Sequence, residues 1–386
     1  MKGHIRERGK GNWYAVLDVR DPATGKRRRK WHSLKAKGKR EAQAECAKLI
    51  AAMDTGGYVE TIGLTVAQFM RDRLALWEAS GRVGSRTLQR YRELVENQIS
   101  PRLGQVRLQK LTTLDIERWH ASLLTSGHKG GQRGVSTRTI RHAHTLLKQM
   151  LAEAMKHGLV VRNVAAVQSP PKIESDEVQI VGADRLKELL ARLRGHALYP
   201  KAALALFAGL RRSELMALRW RHIDFDRRVL QVRDALEETR ANGIRVKGPK
   251  SKAGRRDITM PDILLDALRA HRQSQLELRL QLGLGRPDGD DLLFPNIDGG
   301  LTSPQQLSSQ WFVFAKSIGM PDVTFHALRH THAAQLIDAG VDVMMIAKRL
   351  GHARASTTLN HYGHLFRSTD DKAAAAINSA LTGWKG

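Results

Sequence analysis

The stretch Thr324–Ala333, TFHALRHTHA, sets three histidines and one arginine within seven consecutive positions: His326, Arg329, His330 and His332. Ordinary helix packing does not require this density, so the stretch is a candidate functional site. Three interpretations are open at this point: metal ligands, a basic strip that faces DNA, or part of an active site. His326 and Arg329 are three residues apart, so in a helix they lie on one face.

The charge of the whole chain restricts the class of partner. Its 386 residues contain 64 Lys and Arg against 38 Asp and Glu, which gives a formal net charge of +26 and a sequence pI near 10.7. Such an excess favours an anionic partner, and nucleic acid is the leading one. No stretch approaches the roughly 18 apolar residues of a membrane-spanning helix, and the start lacks the apolar core of a signal peptide. We therefore expect a soluble, cytoplasmic protein on DNA, with no membrane partner.

Residues 1–60 predict a small N-terminal module with a sheet and one helix. The segment NWYAVLDVR alternates like a strand, DPATGK has the residues of a turn, RRRKWHSL suits the returning strand, and KREAQAECAKLIAAMDTGG has helical spacing. Fifteen Lys and Arg against five acids give the first fifty residues a net charge of +10. The candidate DNA contacts near the sheet edge are Arg27, Arg28, Arg29 and Lys30. The alternative is a solvated charge run.

Residues 63–160 form a second part that is wholly helical. Four segments carry apolar residues at spacings of three and four: TVAQFMRDRLALW, SRTLQRYRELVENQI, TTLDIERWHASLLTSG and TRTIRHAHTLLKQMLAEAMKHG. Thr112 and Asp115 form a helix-capping signature. Arg138 and Arg141 lie on a basic outer face as candidate DNA contacts.

The rest of the chain completes a multidomain α+β fold. Residues 161–180 contain a Pro pair and an acidic patch and hold no period, so we interpret them as a linker. Residues 181–386 begin with helices, continue with a strand-rich stretch and return to helices. The predicted architecture is a sheet-plus-helix module, a four-helix domain, and a mostly α domain with a small antiparallel sheet.

Four motifs in the last part carry candidate catalytic side chains. Arg211 follows a Gly-Leu pair in AGLRRSELMALRW, and Lys250 lies in a Gly- and Ser-containing turn in GPKSKAGRRDITMP. The His-x-x-Arg of the opening stretch is the third motif. The fourth is RLGHARASTTLNHYGH, in which His352 stands ten residues before Tyr362.

Together these motifs resemble the tyrosine recombinase family, also called the phage integrases, in which Arg, Lys, His-x-x-Arg, His and Tyr occur in this order. The resemblance covers most of the chain. It implies a site-specific DNA recombinase of a phage or other mobile element, which cuts and rejoins DNA through a 3′-phosphotyrosyl intermediate and a Holliday junction. It implies neither a metal nor a nucleotide cofactor. The implied catalytic residues are Arg211, Lys250, His326, Arg329, His352 and the nucleophile Tyr362.

Physical chemistry supports the same set of residue types. Arg supplies a forked, permanently charged donor for the nonbridging oxygens of a phosphodiester in transfer. Tyr is a weak nucleophile at its free pKa of about 10, so its surroundings must activate it. His326 is the candidate general base for the tyrosine, and His352 is the candidate hydrogen-bond donor to the phosphate. Lys250 competes with Lys247 and Lys252 for the role of the acid that protonates the leaving 5′ oxygen.

Other side chains near these motifs have simpler interpretations. Arg212 and Lys252 are candidate DNA contacts. We expect His330 and His332 to buttress their helix or contact the backbone. The histidines lack the carboxylate or thiolate neighbours of a metal site, and the single cysteine, Cys46, cannot form a zinc cluster, so we predict no metal.

The resemblance also implies partners. The N-terminal module would bind arm-type attachment sites, while the helical and catalytic domains would clamp double-stranded DNA at the core site. The family acts as a homotetramer, the C-terminal tail KAAAAINSALTGWKG resembles segments that dock on a neighbouring subunit, and host DNA-bending and excision factors are further expected partners. Two alternatives stay open: a noncatalytic architectural DNA-binding protein of the same fold, and a type IB-like topoisomerase. The basic N-terminal module argues against the topoisomerase, because relaxation of supercoils needs no second DNA address.

Overall fold

The computed structural model describes residues 3–20, 27–54, 59, 62–126, 134–172, 178–249, 251–366 and 369–382. The chain divides into two compact units, Met1–Ser175 and Asp176–Gly386. Helices dominate both units, and the strands form small antiparallel sheets. The predicted α+β fold class is therefore confirmed.

The first unit begins with a three-stranded antiparallel sheet and one helix. The elements are β1 (Gly3–Glu7), β2 (Trp13–Arg20), β3 (Arg27–Leu34) and α1 (Lys39–Asp54). The central strand is β2, and β1, which the sequence pattern does not predict, pairs with it along one edge. One face of the sheet buries Ala15 and Leu17 together with Ala42 and Cys46 of α1. The predicted turn DPATGK, residues 21–26, lies outside the described residues.

The rest of the first unit is helical. Its helices are α2 (Val66–Ala79), α3 (Ser85–Leu94), α4 (Ser100–Leu103), α5 (Thr113–Ser126), α6 (Thr137–Lys156) and α7 (Val164–Val167), with a π-helical turn at Val95–Ile99 between α3 and α4. The predicted capping signature before α5 is confirmed: the Thr112 amide donates to Asp115 Oδ2 at 2.9 Å, and the Asp115 amide donates to Thr112 Oγ1 at 3.2 Å. Helix α7 lies in the segment interpreted as a linker, and its Val164 and Ala165 are buried in the core of this helical part.

The second unit combines helices with two small sheets. Its helices are α8 (Ala183–Leu193), α9 (Tyr199–Phe207), α10 (Arg212–Leu215), α11 (Asp262–Gln281), α12 (Pro304–Ser317), α13 (Phe325–Asp338), α14 (Val343–Leu350), α15 (Ala355–Tyr362) and α16 (Thr369–Leu381). Its strands are β4 (Ile223–Asp224), β5 (Val229–Val232), β6 (Ala235–Thr239), β7 (Gly243–Lys247) and β8 (Arg256–Thr259). They form an antiparallel sheet in the order β4-β5-β8 and a β6-β7 hairpin.

Helix α9 is the centre of the second unit. Its five consecutive residues 202–206 are all buried, because an apolar run without polar positions suits a helix covered on every side. It packs against α11 and α13, while α14 packs against α13, α15 and β8. The segments that carry the predicted catalytic motifs are thereby brought together. Within the described part of the chain, no helix has the length and apolar character needed to cross a membrane.

Candidate active site

Arg211 stands directly before α10, after a turn that requires glycine. Gly209 has φ +65°, in the left-handed region, and a Cβ at this position would lie 2.6 Å from His332 Cδ2. The Arg211 amide donates to Glu214 Oε2 at 3.0 Å, and Nη1 donates to Glu214 Oε1 at 2.7 Å. Nη2 donates to the carbonyl of Gly351 at 3.1 Å. The guanidinium is thus fixed between α10 and the end of α14.

Glu214 is a buried carboxylate between two arginines. Its side chain is 4% exposed and also accepts a hydrogen bond from Nη2 of Arg256 at 2.9 Å. Arg256, itself 3% exposed, donates from Nε to the Arg349 carbonyl at 2.6 Å and from Nη1 to the Gly254 carbonyl at 3.1 Å. Burial raises the pKa of Glu214, but Arg256 and then Arg211 outweigh it and hold the pKa below its usual value. One ionised, buried network therefore joins β8, α10 and α14.

Arg329 on α13 is a buried cation with neutral partners. It is 3% exposed, donates from Nη1 to the Gly209 carbonyl, and donates from Nη2 to the Leu350 carbonyl at 2.6 Å. Burial and then the charge of Arg211 lower the pKa of Arg329 to about 9, so it stays cationic at neutral pH. A second bond runs from Nη2 to Nε2 of His352 at 3.3 Å. Within the described residues, carbonyls and one imidazole are its hydrogen-bond partners, which leaves its charge available to an anion.

His352 follows the end of α14 and is held through both ring nitrogens. Because Nε2 accepts from Arg329, Nδ1 carries the proton and donates to Thr358 Oγ1 at 2.8 Å. Burial, then Arg329 and Arg211, lower the pKa of His352 to about 4, so the ring is neutral at pH 7. In this arrangement the nitrogen that faces Arg329 is an acceptor. The predicted donation from His352 to a phosphate requires the other tautomer or a protonated ring.

Tyr362, the last residue of α15, has its hydroxyl against His330. The side chain is 2% exposed, and Oη lies 2.6 Å from His330 Nδ1. Burial raises the pKa of Tyr362 to about 12, whereas burial, then the charges of His326 and Arg329, lower the pKa of His330 to about 4. A protonated phenol and a neutral imidazole thus meet at pH 7, and we assign the hydroxyl as the donor. We expected His330 to buttress its helix or contact the backbone, but its ring bonds instead to the side-chain hydroxyl of Tyr362 on α15.

His326, the predicted general base, lies one helical turn before His330. The two rings meet edge to face with centroids 4.5 Å apart. The side chain is exposed and makes no hydrogen bond to any residue that the structure describes. Desolvation by its neighbours, then the charges of Arg329 and Arg211, lower the pKa of His326 to about 4. Its ring therefore contacts His330, while the tyrosine hydroxyl is bonded to His330 and not to His326 within the described residues.

His332 is a buried buttress between helices. Its Nδ1 donates to the Leu206 carbonyl of α9 at 2.8 Å, and Nε2 accepts from Arg349 Nε at 3.1 Å. The predicted backbone contact of His332 is confirmed. Among the residues with described positions, no three His, Cys, Asp or Glu side chains are grouped so as to hold a metal ion.

The three lysines that compete for the acid role differ in their environments. Lys250 lies outside the described residues. Lys247, at the end of β7, donates to Glu237 Oε1 at 3.2 Å. Lys252 is exposed and begins the 3-10 turn Lys252–Gly254. The ion pair of Lys247 favours a lysine of the following turn for a role in proton transfer.

The three helical arginines predicted to contact DNA differ in how far their side chains are already bonded within the protein. Arg212 bonds to Ser308 on α12. Arg141 Nη2 donates to the Pro171 carbonyl at 3.3 Å, and its Nε is buried without a partner among the described residues. Arg138 is exposed on α6. Of these three, Arg138 has the side chain best placed to reach a phosphate.

The basic run Arg27–Lys30 lies on β3, which is an edge strand. Alternation along the strand places exposed Arg29 on the same face as Trp31. The guanidinium of Arg8 lies 4.8 Å from the centre of the Trp31 ring. The side chain of Arg28 lies outside the described residues. The face opposite α1 is therefore both basic and aromatic.

Two fixed guanidinium groups beside a tyrosine and neutral histidines suit phosphoryl transfer through a covalent tyrosine, and comparisons with known proteins agree. The profile of the Phage integrase family matches residues 179–368, and that of the Phage integrase N-terminal SAM-like domain matches residues 70–124. A tyrosine recombinase XerC-like protein of Caldanaerobacter subterraneus is 24% identical and aligns over 98% of each chain. Tyrosine recombinase XerC of Shewanella amazonensis is 30% identical over 66% of this chain and 78% of its own.

The fold has solved relatives as well. The integrase of transposon Tn1549, in complex with a circular intermediate DNA, superimposes with a TM-score of 0.69 at 22% identity, over 82% of this chain and 99% of that one. The chain belongs to the phage integrase family of tyrosine recombinases. It is a site-specific DNA recombinase, and the class of enzyme predicted from the sequence is confirmed.

Proposed function

We propose that this chain is the integrase of a phage or other mobile element and that Tyr362 attacks the scissile phosphate of a DNA attachment site. One observation carries the proposal: Arg211, Arg329, His352 and Tyr362 come from four separate segments and meet in one site. Arg329 donates a hydrogen bond directly to His352, and Arg211 donates one to the carbonyl of Gly351, the residue before His352. An arginine with a purely structural role needs only carboxylate or carbonyl partners. A tyrosine hydroxyl and two histidines in the same site are what a catalytic role requires in addition.

The attack exchanges one phosphate ester for another. The Tyr362 oxygen bonds to phosphorus, the bond from phosphorus to the 5′ oxygen breaks, and the 3′ phosphate stays on the tyrosine. Arg211 and Arg329 stabilise the nonbridging oxygens in the transition state. Lys250 gives a proton to the leaving 5′ oxygen. Once the phosphate has replaced His352 as the partner of Arg329, the His352 proton moves from Nδ1 to Nε2, and Nε2 donates to the phosphate. The ester energy is conserved, so no metal or nucleotide cofactor is required.

Strand exchange explains the proposed assembly. Exchange between two duplexes cuts four strands, so four copies of Tyr362 are needed, which favours a homotetramer and a Holliday junction intermediate. The helical and catalytic parts bind the core site. The N-terminal module binds arm-type sites through the face that carries Arg29 and Trp31. Because the chemistry is reversible, direction comes from outside the active site, and host bending and excision factors on the DNA supply it.

A covalent capture experiment tests the proposal and selects the attachment sequence at the same time. The full chain is incubated with a library of randomised duplexes that carry a nick, and chains linked to DNA are recovered after denaturation and sequenced. A recombinase selects one core sequence and, given a second duplex with a free 5′ hydroxyl, joins the two DNAs. An architectural protein yields no covalent product. A topoisomerase yields covalent product without a selected sequence and relaxes supercoiled DNA of any sequence.

A further inference from the structure

The contact between His330 and Tyr362 assigns a role that the sequence motifs did not. We infer that His330 positions the Tyr362 hydroxyl and accepts its proton when the oxygen attacks phosphorus. The inference rests on the proposed attack by Tyr362. It stands on the 2.6 Å distance between His330 Nδ1 and Tyr362 Oη, a full hydrogen bond between two side chains 32 residues apart in the sequence.

The neighbouring histidine of the His-x-x-Arg motif is less well placed for this role. His326 and His330 are four residues apart on α13, so their rings lie on one face, but only His330 bonds to the tyrosine within the described residues. His326 touches the ring of His330 edge to face at 4.5 Å and is otherwise exposed. Its position suits limiting the rotation of the His330 ring.

The bond requires a neutral His330 with an unprotonated Nδ1, and the surroundings favour that state. Besides the Tyr362 hydroxyl that it binds, the charged and titratable groups that act on the ring are His326 and Arg329 on α13 and His352 and His361 beyond α14. These four side chains carry or can take positive charge, and the phenol is neutral, so the surroundings oppose protonation of the ring. A bound phosphodiester adds a negative charge beside Arg329 and offsets this repulsion. The basicity of His330 therefore rises when the substrate arrives.

The proposed step is balanced. The O–H bond of Tyr362 breaks, the proton bonds to Nδ1 of His330, and the phenolate oxygen forms the bond to phosphorus as the 5′ oxygen leaves with a proton from the acid. The imidazolium keeps its Nε2 proton. In religation the 5′ hydroxyl returns its proton to the acid and bonds to phosphorus, the bond from phosphorus to the tyrosine oxygen breaks, and His330 returns its Nδ1 proton to Tyr362.

The test measures adduct formation on a nicked core-site duplex with the full chain. His330→Gln keeps an acceptor but cannot take a proton, so the rate at saturating DNA should fall by ~10²- to 10⁴-fold, the usual contribution of a general base. His330→Ala should be partly rescued by added imidazole, in proportion to its unprotonated fraction. DNA affinity should not change in either variant. His326→Gln is the matched control on the same helix face, and we expect it to lose much less rate than His330→Gln.

A substrate with sulfur in place of the bridging 5′ oxygen separates this role from that of the acid, because a thiolate leaves without a proton. With this substrate, the rate of adduct formation by Lys250→Ala should return towards that of the wild-type chain. The rate of His330→Gln should stay low. Cleavage by His330→Gln at the wild-type rate, its restoration by the sulfur substrate, or no response of His330→Ala to imidazole would each overturn the inference. A wild-type chain that forms no adduct would instead remove the proposed function itself, together with this step.

Discussion

Glu214 accepts a hydrogen bond from Arg256 at 2.9 Å, and the two side chains are only 4% and 3% exposed. The same carboxylate binds Arg211, and Arg256 also holds the carbonyls of Arg349 and Gly254. Four segments of the active site therefore depend on one buried ion pair. Two charges in such a place stabilise the fold only while they remain paired.

We predict that Glu214→Gln destabilises the second unit by about 3 kcal/mol, because it leaves the Arg256 charge buried without its counterion. Urea-dependent hydrogen exchange of the full chain, followed in peptides from residues 176–386, measures the change. The matched control is Asp322→Asn, which breaks the exposed pair with Arg185 in the same unit. An equal loss of protection in both variants would show that the buried pair of Glu214 contributes no more to the stability of the second unit than the exposed pair of Asp322.

Arg329→Ala should lower the cleavage rate by ~10²- to 10³-fold, the cost of removing one preorganised donor, while DNA affinity changes far less. The rate is measured at saturating core-site DNA, so that weaker binding does not enter. Arg138→Ala is the contrasting control: this exposed side chain should affect affinity and its salt dependence but not the saturated rate. Near wild-type cleavage by Arg329→Ala would show that Arg329 has only a structural role, as a hydrogen-bond donor to the carbonyls of Gly209 and Leu350.

Local rules predict what depends on neighbours in the sequence. The spacing of Thr112 and Asp115 predicts a cap, and that of His326 and Arg329 predicts a shared helix face, because helical periodicity alone decides both. The bond from His330 to Tyr362 could not be predicted, since it depends on how α15 packs against α13. A signal was present, however: His330 is four residues after His326 and therefore on the same face.

The buried ion pair also could not be predicted from local sequence rules, because its two residues are distant in the sequence. Glu214 and Arg256 are 42 residues apart, and the charge of Arg256 looks like one more basic residue in a basic turn. Only the packing of β8 beside α10 shows that it is enclosed. Strand β1 escapes prediction for a related reason, because its short polar sequence has no apolar alternation, and pairing with β2 decides its conformation.

Stability should fall as the pH drops from about 6.5 towards 5, a window set by buried histidines. The pKa of His144 is lowered to about 4 by burial, then His120, and that of His332 to about 3 by burial, then Arg349. Both rings are neutral in the folded chain, while the unfolded chain binds their protons below a pKa of about 6.5. The stabilisation is therefore complete above pH 6.5 and is lost progressively below it.

Urea-dependent hydrogen exchange at pH 7.5 and pH 5.2 measures this loss separately in each unit. Carboxylates stay ionised across that range, so the change belongs to histidines. His144→Gln should flatten the pH dependence in peptides from residues 1–175 only. A pH dependence that is the same with and without His144 would contradict the assignment.

Removal of the N-terminal module should separate cleavage from recombination. A chain that starts at Gly63 keeps the helical part and the second unit, so it should still form the tyrosine adduct on an isolated core site. It should fail to recombine full attachment sites. Its log affinity for arm-containing DNA should also depend less steeply on log salt, by about 0.9 for each phosphate that the module no longer neutralises. Full recombination by the shortened chain, with an unchanged salt dependence of affinity, would show that the basic run Arg27–Lys30 is a solvated surface and not a DNA-binding site.

In the proposed reaction the Tyr362 oxygen becomes covalently bound to a 3′ phosphate without the help of a metal. The most direct measurement is adduct formation on the captured core-site duplex in excess chelator, with the linked peptide identified by mass spectrometry, for the wild-type chain and Tyr362→Phe. We expect the wild-type chain to form the adduct with the nucleotide on Tyr362, and Tyr362→Phe to bind the same duplex without forming one. An adduct that persists in Tyr362→Phe, a nucleotide mapped to another residue, or loss of the wild-type adduct in chelator would contradict the account.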